Sequence, residues 1–457
     1  MRRYHIVVIG RDDDALADLV RRHRVDVARH TVEQLERGGY RIHCHASSAQ
    51  IRALLTAGYV VERREDVDRV GKARQVEVGP FPKTRKAASS RAVFGATRYL
   101  SVAEVEACLT GVADPRNDSF VSLITLPNTT WENRTCHALR IGRAAGGMSR
   151  PGIYLLGGVH GREWGSSDIL INFAQRLSEA YRTHTGIRLG GQNFTAAQVR
   201  TLVDTKDVYV FPQANPDGRH FSMTRSPMWR KNRRPAPPGS SPDCVGVDLN
   251  RNYDFLWDFV KYFDAASPIV NAIDPCDHDN YVGPEATSEP ETKNVVWMFD
   301  ENPNIRSFID LHSYAEGIFY PWGDDDNQST TPSMNFGNPA FDGKRGIPND
   351  DAYLEYLAED DRAAIVSLAN TMREAIQKVR GRVYSVEPSM SLFPTAGTSN
   401  DYAYARHLVD PGKAKVYAYT VKWGSPDNPT PFHPPYGEMR EIIAEMTAAL
   451  LAFCIAM

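Results

Sequence analysis

The residues with the clearest chemical potential are His160 and Glu163, held in the stretch Ile153-Tyr-Leu-Leu-Gly-Gly-Val-His160-Gly-Arg162-Glu163-Trp164. An apolar run, a double glycine and then His-x-x-Glu bring an imidazole and a carboxylate together. Both are good zinc ligands, and a catalytic zinc needs three protein ligands with a fourth position left for water. Two of the three are here, so the third has to come from a distant part of the chain.

These side chains need a rigid base. The apolar run reads as a buried strand. Leu170, Phe173, Ala174, Leu177 and Tyr181 after it fall at helical spacing. His160 and Glu163 therefore occupy a strand-to-helix loop, where open α/β sheets place residues that handle ligands. The same alternation runs on through the chain. Strands are predicted at 121–126, 137–141, 153–159, 207–211, 305–311 and 416–421. Helices are predicted near 101–109, over 365–379 and over 442–453. Capping boxes are read at Ser47/Gln50 and Ser288/Glu291, a turn at Asn215-Pro-Asp-Gly218, and a long polar loop over 323–351. Strands alternating with helices imply an α/β fold with a mixed, mostly parallel sheet covered on both faces.

Residues 1–80 read as a separate small α/β unit. It has strands at 4–9, 41–44 and 59–62, a charged helical region over 13–36 and a helix from Ser47 to about Leu55. Residues from about 64 lose apolar periodicity, and 81–95 are taken as a linker to a domain spanning 96–457. The N-terminal unit shows no G-x-G-x-x-G and no inhibitory feature of its own.

Composition narrows the function. The 457 residues carry a net charge of −3, 42% hydrophobic and 24% charged residues. That balance gives no general attraction to nucleic acid or to an acidic membrane surface. The basic run 225–235, with Arg225, Arg230, Lys231, Arg233 and Arg234, holds a single aromatic, Trp229, and sits in a chain with no net positive charge, so a nucleic-acid patch is the weaker reading. The apolar C-terminal tail is short and helically periodic, and reads as a packed helix rather than a membrane span. The apolar run at 4–9 is too short for a signal-peptide core, so a cytoplasmic location is slightly favoured. The six cysteines contain no C-x-x-C pair and are expected as thiols in a reduced compartment.

Six stretches, in order, give the chain a family resemblance. They are Gly158-Val-His160-Gly-Arg162-Glu163-Trp164, Asn215-Pro-Asp-Gly218, Met228-Trp-Arg230-Lys-Asn-Arg233, Gly246-Val-Asp248-Leu-Asn250-Arg251-Asn-Tyr253, Asp310-Leu-His312-Ser313-Tyr314 and Tyr419-Thr-Val-Lys422. Together they resemble the zinc metallocarboxypeptidases of the carboxypeptidase A/B type over roughly 95–457. The resemblance implies an eight-stranded mixed sheet with helices on both faces. It implies one zinc ion on His160, Glu163 and His312, since two histidines, a glutamate and a water are the set used by carboxypeptidase A itself. It also implies hydrolysis of the C-terminal peptide bond, or a related amide, of a peptide or small carboxylate-bearing substrate by zinc-bound water. Asn250 and Arg251 would take the substrate carboxylate, Arg230 would stabilise the oxyanion and Arg162 would serve an outer subsite. Cys244 and Cys276 fall where secreted members often carry a disulfide.

Two positions depart from the family pattern. Lys422 stands where the family has its general-base glutamate, and Phe393 where it has a mobile tyrosine. By the same resemblance, Asn400 aligns with the residue at the base of the family's side-chain pocket, where apolar residues accompany apolar substrates and acids accompany basic ones; Asn implies a polar neutral substrate side chain. A lysine is a base only when neutral, and its ordinary pKa is about 10.4. With Lys422 charged, the metal centre carries +2 where a glutamate would give 0. The alternative expectation is therefore a carboxypeptidase fold that grips C-terminal carboxylates without cleaving them.

Overall fold

The computed structural model describes residues 2–36, 38–79, 97–114, 119–143, 150–390 and 393–457. The linker 81–95 lies outside these residues. The principal sheet has eight strands. From one edge to the other they are Ser385–Pro388, Gly317–Tyr320, Tyr417–Trp423, Ile305–Ser313, Gly152–Gly157, Asp207–Phe211, His137–Ile141 and Val121–Thr125. The four central strands, from Tyr417–Trp423 to Asp207–Phe211, run parallel, and antiparallel pairings flank them. The mixed sheet expected from the sequence is thus present, with two short strands, Gly317–Tyr320 and Ser385–Pro388, that the pattern did not reveal.

Alternation along the central strands explains why helices cover both faces. Tyr154 and Phe308 are register partners, and both pack on Phe299 of the helix Pro290–Glu301. Tyr419 pairs with Ile309 one step along, points to the opposite face and meets Phe453 of the helix Tyr436–Ala456. Central parallel strands buried on both faces are predominantly apolar, and Gly152–Gly157 and Asp207–Phe211 are buried along their whole length.

Residues 3–66 form a second sheet. Arg3–Gly10 lies between Tyr40–Ser47 and Val60–Asp66, all antiparallel. Its core, with Ile6, Val8, Leu16, Leu19, Ile42 and Leu54, is continuous with Val270 and Phe393 of the larger unit. Several sequence expectations need correction here. The helical region expected over 13–36 ends at Arg21, because the chain turns into the two-residue strands Asp26–Val27 and Glu33–Gln34 around a 3-10 turn, Arg29–Thr31. The stretch after residue 64 is not all linker: Val67–Arg74 is a helix capped by Asp66. Asn215 opens the helix Pro216–Thr224 rather than a turn; its side chain accepts from Gly218 N, and Pro216 fits the first turn because no N–H is needed there. The Ser47/Gln50 capping box forms, whereas the one read at Ser288/Glu291 does not, since Ser288 donates to Glu289 instead.

Cys244 and Cys276 are joined in a disulfide, which corrects the expectation of six thiols. The other four cysteines are free and buried. The bridge closes a sequence separation of 32, and a loop of that size costs the unfolded chain about 3–4 kcal/mol of conformational freedom. Cys244→Ser with Cys276→Ser is expected to lower unfolding stability by about that amount, read from urea midpoints under non-reducing conditions. No helix among the described residues is long and apolar enough to cross a membrane.

Candidate active site

The central strand Gly152–Gly157 is followed in the sheet by Asp207–Phe211 on one side and Ile305–Ser313 on the other. The chain order reverses at this point, and a crevice opens at the carboxyl ends of the strands. His160 leaves the first of these strands and His312 ends the third. Gly158, at φ +68, makes the turn out of the strand without the clash a side chain would bring. A side chain on Gly161 would strike Gly218 O at 2.5 Å, so glycine there lets the neighbouring backbone close in, and Gly161 N donates to Arg230 O.

His160, Glu163 and His312 are all buried, and each offers one ligand atom within 4.8 Å of the others. The converging atoms are two Nδ1 nitrogens 3.0 Å apart and the Glu163 oxygens, at 2.8 Å from His160 Nδ1 and 3.0 Å from His312 Nδ1. The outer ring nitrogens face carboxylates. His160 Nε2 lies 3.2 Å from Asp248 Oδ1, and His312 Nε2 lies 2.9 Å from Asp310 Oδ2. The Asp248 carboxylate behind His160 favours the tautomer that leaves its Nδ1 free to ligate, and Asp310 stands at ion-pair distance behind His312. Burial would raise the Glu163 carboxyl, but His160 and His312 outweigh it and hold it well below the usual range. Burial would likewise lower His312, yet Asp310 and Glu163 raise it to about 9. The donor set and its backing carboxylates fit a zinc ion.

Arginines and a lysine surround this centre. Arg230 makes two contacts to Asp248 Oδ2, at 2.8 and 3.1 Å, and its Nη1 comes 3.2 Å from His160 Nδ1. Arg251 is buried, with Nη1 on Asn250 O and Nε on Val270 O. Asn250 Oδ1 accepts from Ser399 N. Lys422 pairs in register with His312 on the adjacent parallel strand, so both side chains project from the same face of the sheet. Lys422 is half-buried and lines one cleft with Glu163, Arg29, Arg162, Arg230 and Arg251. Desolvation and the cations Arg29, Arg230 and Arg251 bring its pKa down to about 7, with Glu163 pulling the other way.

Three of the sequence-derived residues have partners that the sequence did not indicate. Arg162 is bound to Asp26 at 2.8 Å and to Asp279 at 3.3 Å. Phe393 is buried among the core side chains of the N-terminal unit. Asn400 is buried and directs its amide nitrogen to Ser389 Oγ and Asp401 Oδ1. Sequence reasoning assigned no role to Asp248 or Asp310. Both stand inside the quoted motifs, and Asp310 is two residues from His312 on one strand, which places it on the same face. Nothing in residues 1–80 suggested that Asp26 and Arg29 would reach the cleft.

This fold has known counterparts. The chain matches the family model of the zinc carboxypeptidases, Peptidase_M14, over residues 110–449. It belongs to that family. Rat carboxypeptidase A2 is 29% identical over 289 residues, which is 63% of this chain and 55% of the relative. Human carboxypeptidase B is 31% identical over 278 residues, 60% of this chain and 53% of the relative. The chain thus spans about half the length of these two mammalian relatives. Among solved structures, thrombin activatable fibrinolysis inhibitor shares the fold with a TM-score of 0.70 at 18% identity, covering 99% of this chain and 98% of that one. Carboxypeptidase A from Helicoverpa armigera gives 0.66 at 19% identity, with 98% coverage of each chain.

Proposed function

We propose that the protein is a zinc-dependent metallocarboxypeptidase that hydrolyses the C-terminal peptide bond, or a related amide, of a peptide substrate. The observation that carries this reading is the convergence of His160, Glu163 and His312, backed by two carboxylates, within a cleft lined by arginines. Zinc held there would supply Lewis-acid polarisation of the scissile carbonyl.

The remaining roles fall to side chains of this chain. Arg251, with Asn250, holds the substrate carboxylate; a guanidinium fork matches that planar anion. Arg230, whose Nη1 faces the ligand nitrogen of His160, sits where negative charge would gather on the carbonyl oxygen. Lys422, with its pKa near 7, is neutral often enough at physiological pH to take the proton of the attacking water. Residues 1–80 act as a pro-segment-like unit that covers the cleft, supported by Asp26 on Arg162 and Arg29 beside Arg251 in the same cleft. The disulfide favours an oxidising location.

The second reading is a protein that binds C-terminal carboxylates without cleaving them, favoured by the cationic Lys422 position. A mixed peptide library incubated with the zinc-loaded protein and sequenced by mass spectrometry separates the two. Loss of single C-terminal residues, stopped by a chelator, is the expected result. Unchanged peptides that co-purify with the protein would overturn hydrolysis in favour of binding.

A further inference from the structure

The N-terminal sheet has two unlike faces. Along Arg3–Gly10 and Tyr40–Ser47, the side chains of Tyr4, Ile6, Val8, Ile42, Cys44 and Ala46 point into the unit's own core. The alternate positions carry His5, His43 and His45, with His5 opposite His45 in register and His43 diagonal to it. Such a polar face of an antiparallel sheet ordinarily meets water. Here it is dry, and the three histidines are only 0–3% exposed. The larger unit covers them. Tyr314 packs edge-on against His5 and His45, and the Phe432 ring lies 5.2 Å from that of His45.

The groups around these rings mostly oppose a positive charge on them. His5 Nε2 lies 2.9 Å from His43 Nδ1, so one proton serves both nitrogens. Around that pair stand Arg41 and Arg64 of the same sheet, against Glu62 and Asp427. Asp427 comes from the larger unit and is already met by Arg41 at 3.6 Å and Arg64 at 3.4 Å. The Pro429 carbonyl also favours a charged His5. His45 Nε2 has no hydrogen-bond partner among the described residues. Its Nδ1 lies 3.8 Å from Asp26, whose carboxylate is held by Arg162, and Arg3 and Asp279 stand close by. Burial first, and then the neighbouring cations and imidazoles, push His5 down to about 3, His43 to about 4 and His45 well below its ordinary value. Undocked, the same rings would face water and titrate near about 6.5. The docked state therefore gains from these groups above about 6.5 and loses that gain as pH falls below it.

We propose that the histidine face is an acid-released latch: the N-terminal sheet docks on the larger unit at neutral pH and undocks reversibly in mildly acidic surroundings, without any cut in the chain. The inference rests on the reading that residues 1–80 cover the cleft, and goes beyond it by naming what uncovers it. Each imidazole that can take a proton only in the open state shifts docking by roughly 30-fold between about pH 7.5 and 5; the His5/His43 pair together with His45 shifts it by up to about 10³-fold. Other contacts between the units persist. Asp279 is held well below the usual carboxylate range, against its burial, by His278 and Arg162. Gln75 donates to Ser222 O and Glu77 accepts from Tyr436 N, an attachment that involves no histidine. The sheet is thus released while residues 75–77 stay in place.

The test uses the full-length, zinc-loaded protein with spin labels on Leu55→Cys and Val383→Cys, exposed positions on the two units; the native free cysteines are buried and stay unlabelled. Double electron–electron resonance reads the distance between the labels. Wild type is expected to exchange its neutral-pH distance for longer ones at about pH 5, with a midpoint between about 5 and 6.5, and to recover it on return to neutral pH. The triple variant His5→Gln, His43→Asn, His45→Phe keeps an amide contact and a ring but has no imidazole to protonate. It should hold the neutral-pH distance throughout. His45→Phe alone should move the midpoint downward, and guards against a folding defect in the triple variant. An unchanged wild-type distance at about pH 5 would overturn the latch, and so would opening of the triple variant at the same pH or a change that does not reverse. Cleavage is not the readout, because Lys422 gains its own proton over the same range. Instead, acetyl-glycyl-phenylalanine is titrated calorimetrically into the same samples. From about pH 7.5 to 5, wild-type affinity should rise by roughly tenfold or more beyond any rise in the triple variant. Opening without that gain keeps the latch and retires the covering role of residues 1–80; a gain without opening counts against the latch.

Discussion

Lys422→Ala is expected to lower C-terminal cleavage by about 10²–10⁴-fold with zinc content unchanged, the range a positioned proton acceptor contributes. The reason lies in the register. Lys422 is paired with His312 across adjacent parallel strands, which sets its side chain on the same face as that proposed ligand. Its pKa, brought down to about 7 by burial and by Arg29, Arg230 and Arg251, gives the pH dependence. Below about 7 the amine gains a proton and can no longer accept one, so cleavage falls as pH drops through that value. Lys422→Glu supplies a carboxylate that remains ionised to lower pH. That variant should retain cleavage and move the acid limb of the profile downward. The profile of kcat/KM from about pH 5 to 9 reads both effects. Cleavage by Lys422→Glu beside an inert wild type would show a binding protein whose site is intact but whose base is missing.

The second large effect concerns the metal. His312→Ala or Glu163→Ala removes one of three donors from a buried site and is expected to reduce bound zinc from one equivalent to almost none after dialysis, measured by atomic emission. The carboxylates behind the histidines should matter in a graded way. Asp248→Asn and Asp310→Asn are each expected to weaken zinc affinity by about 10–100-fold, the usual cost of losing a partner that orients a ligand. Affinity is the right readout for Asp248, because that carboxylate also holds Arg230 through two contacts, so activity would mix two losses. If Asp310→Asn binds zinc as wild type does, the 2.9 Å contact to His312 Nε2 does not orient the ligand.

Much of this site was legible in the chain. His160 and Glu163 are three residues apart at the end of an apolar run, and that local pattern reports both the ligand chemistry and the loop that carries it. The buried central strands and the long amphipathic helix found at Glu359–Arg380 announced themselves by period. Local capping rules succeeded where the cap was free to form, as at Ser47/Gln50. They failed at Ser288, whose hydroxyl is taken by the adjacent Glu289. The short strands Gly317–Tyr320 and Ser385–Pro388 were not legible, because four residues carry too little pattern and their pairing is set by the neighbouring strand.

By itself, then, the sequence determined the donor types and the α/β alternation, since each is written in nearby residues, while the substitution at Lys422 was visible only against the family it resembles. Tertiary structure decided the rest. It brought His312 to within 3.0 Å of His160, 152 positions away along the chain, by laying their two strands side by side in parallel. It set Arg29, Arg230 and Arg251 around Lys422, and so shifted the amine's proton affinity, an effect of distance and desolvation that no local pattern encodes. It also packed the N-terminal sheet over the cleft. Asp26 and Arg29 read as ordinary solvated charges in the chain, and their meaning comes from the oppositely polarised groups that folding places in front of them.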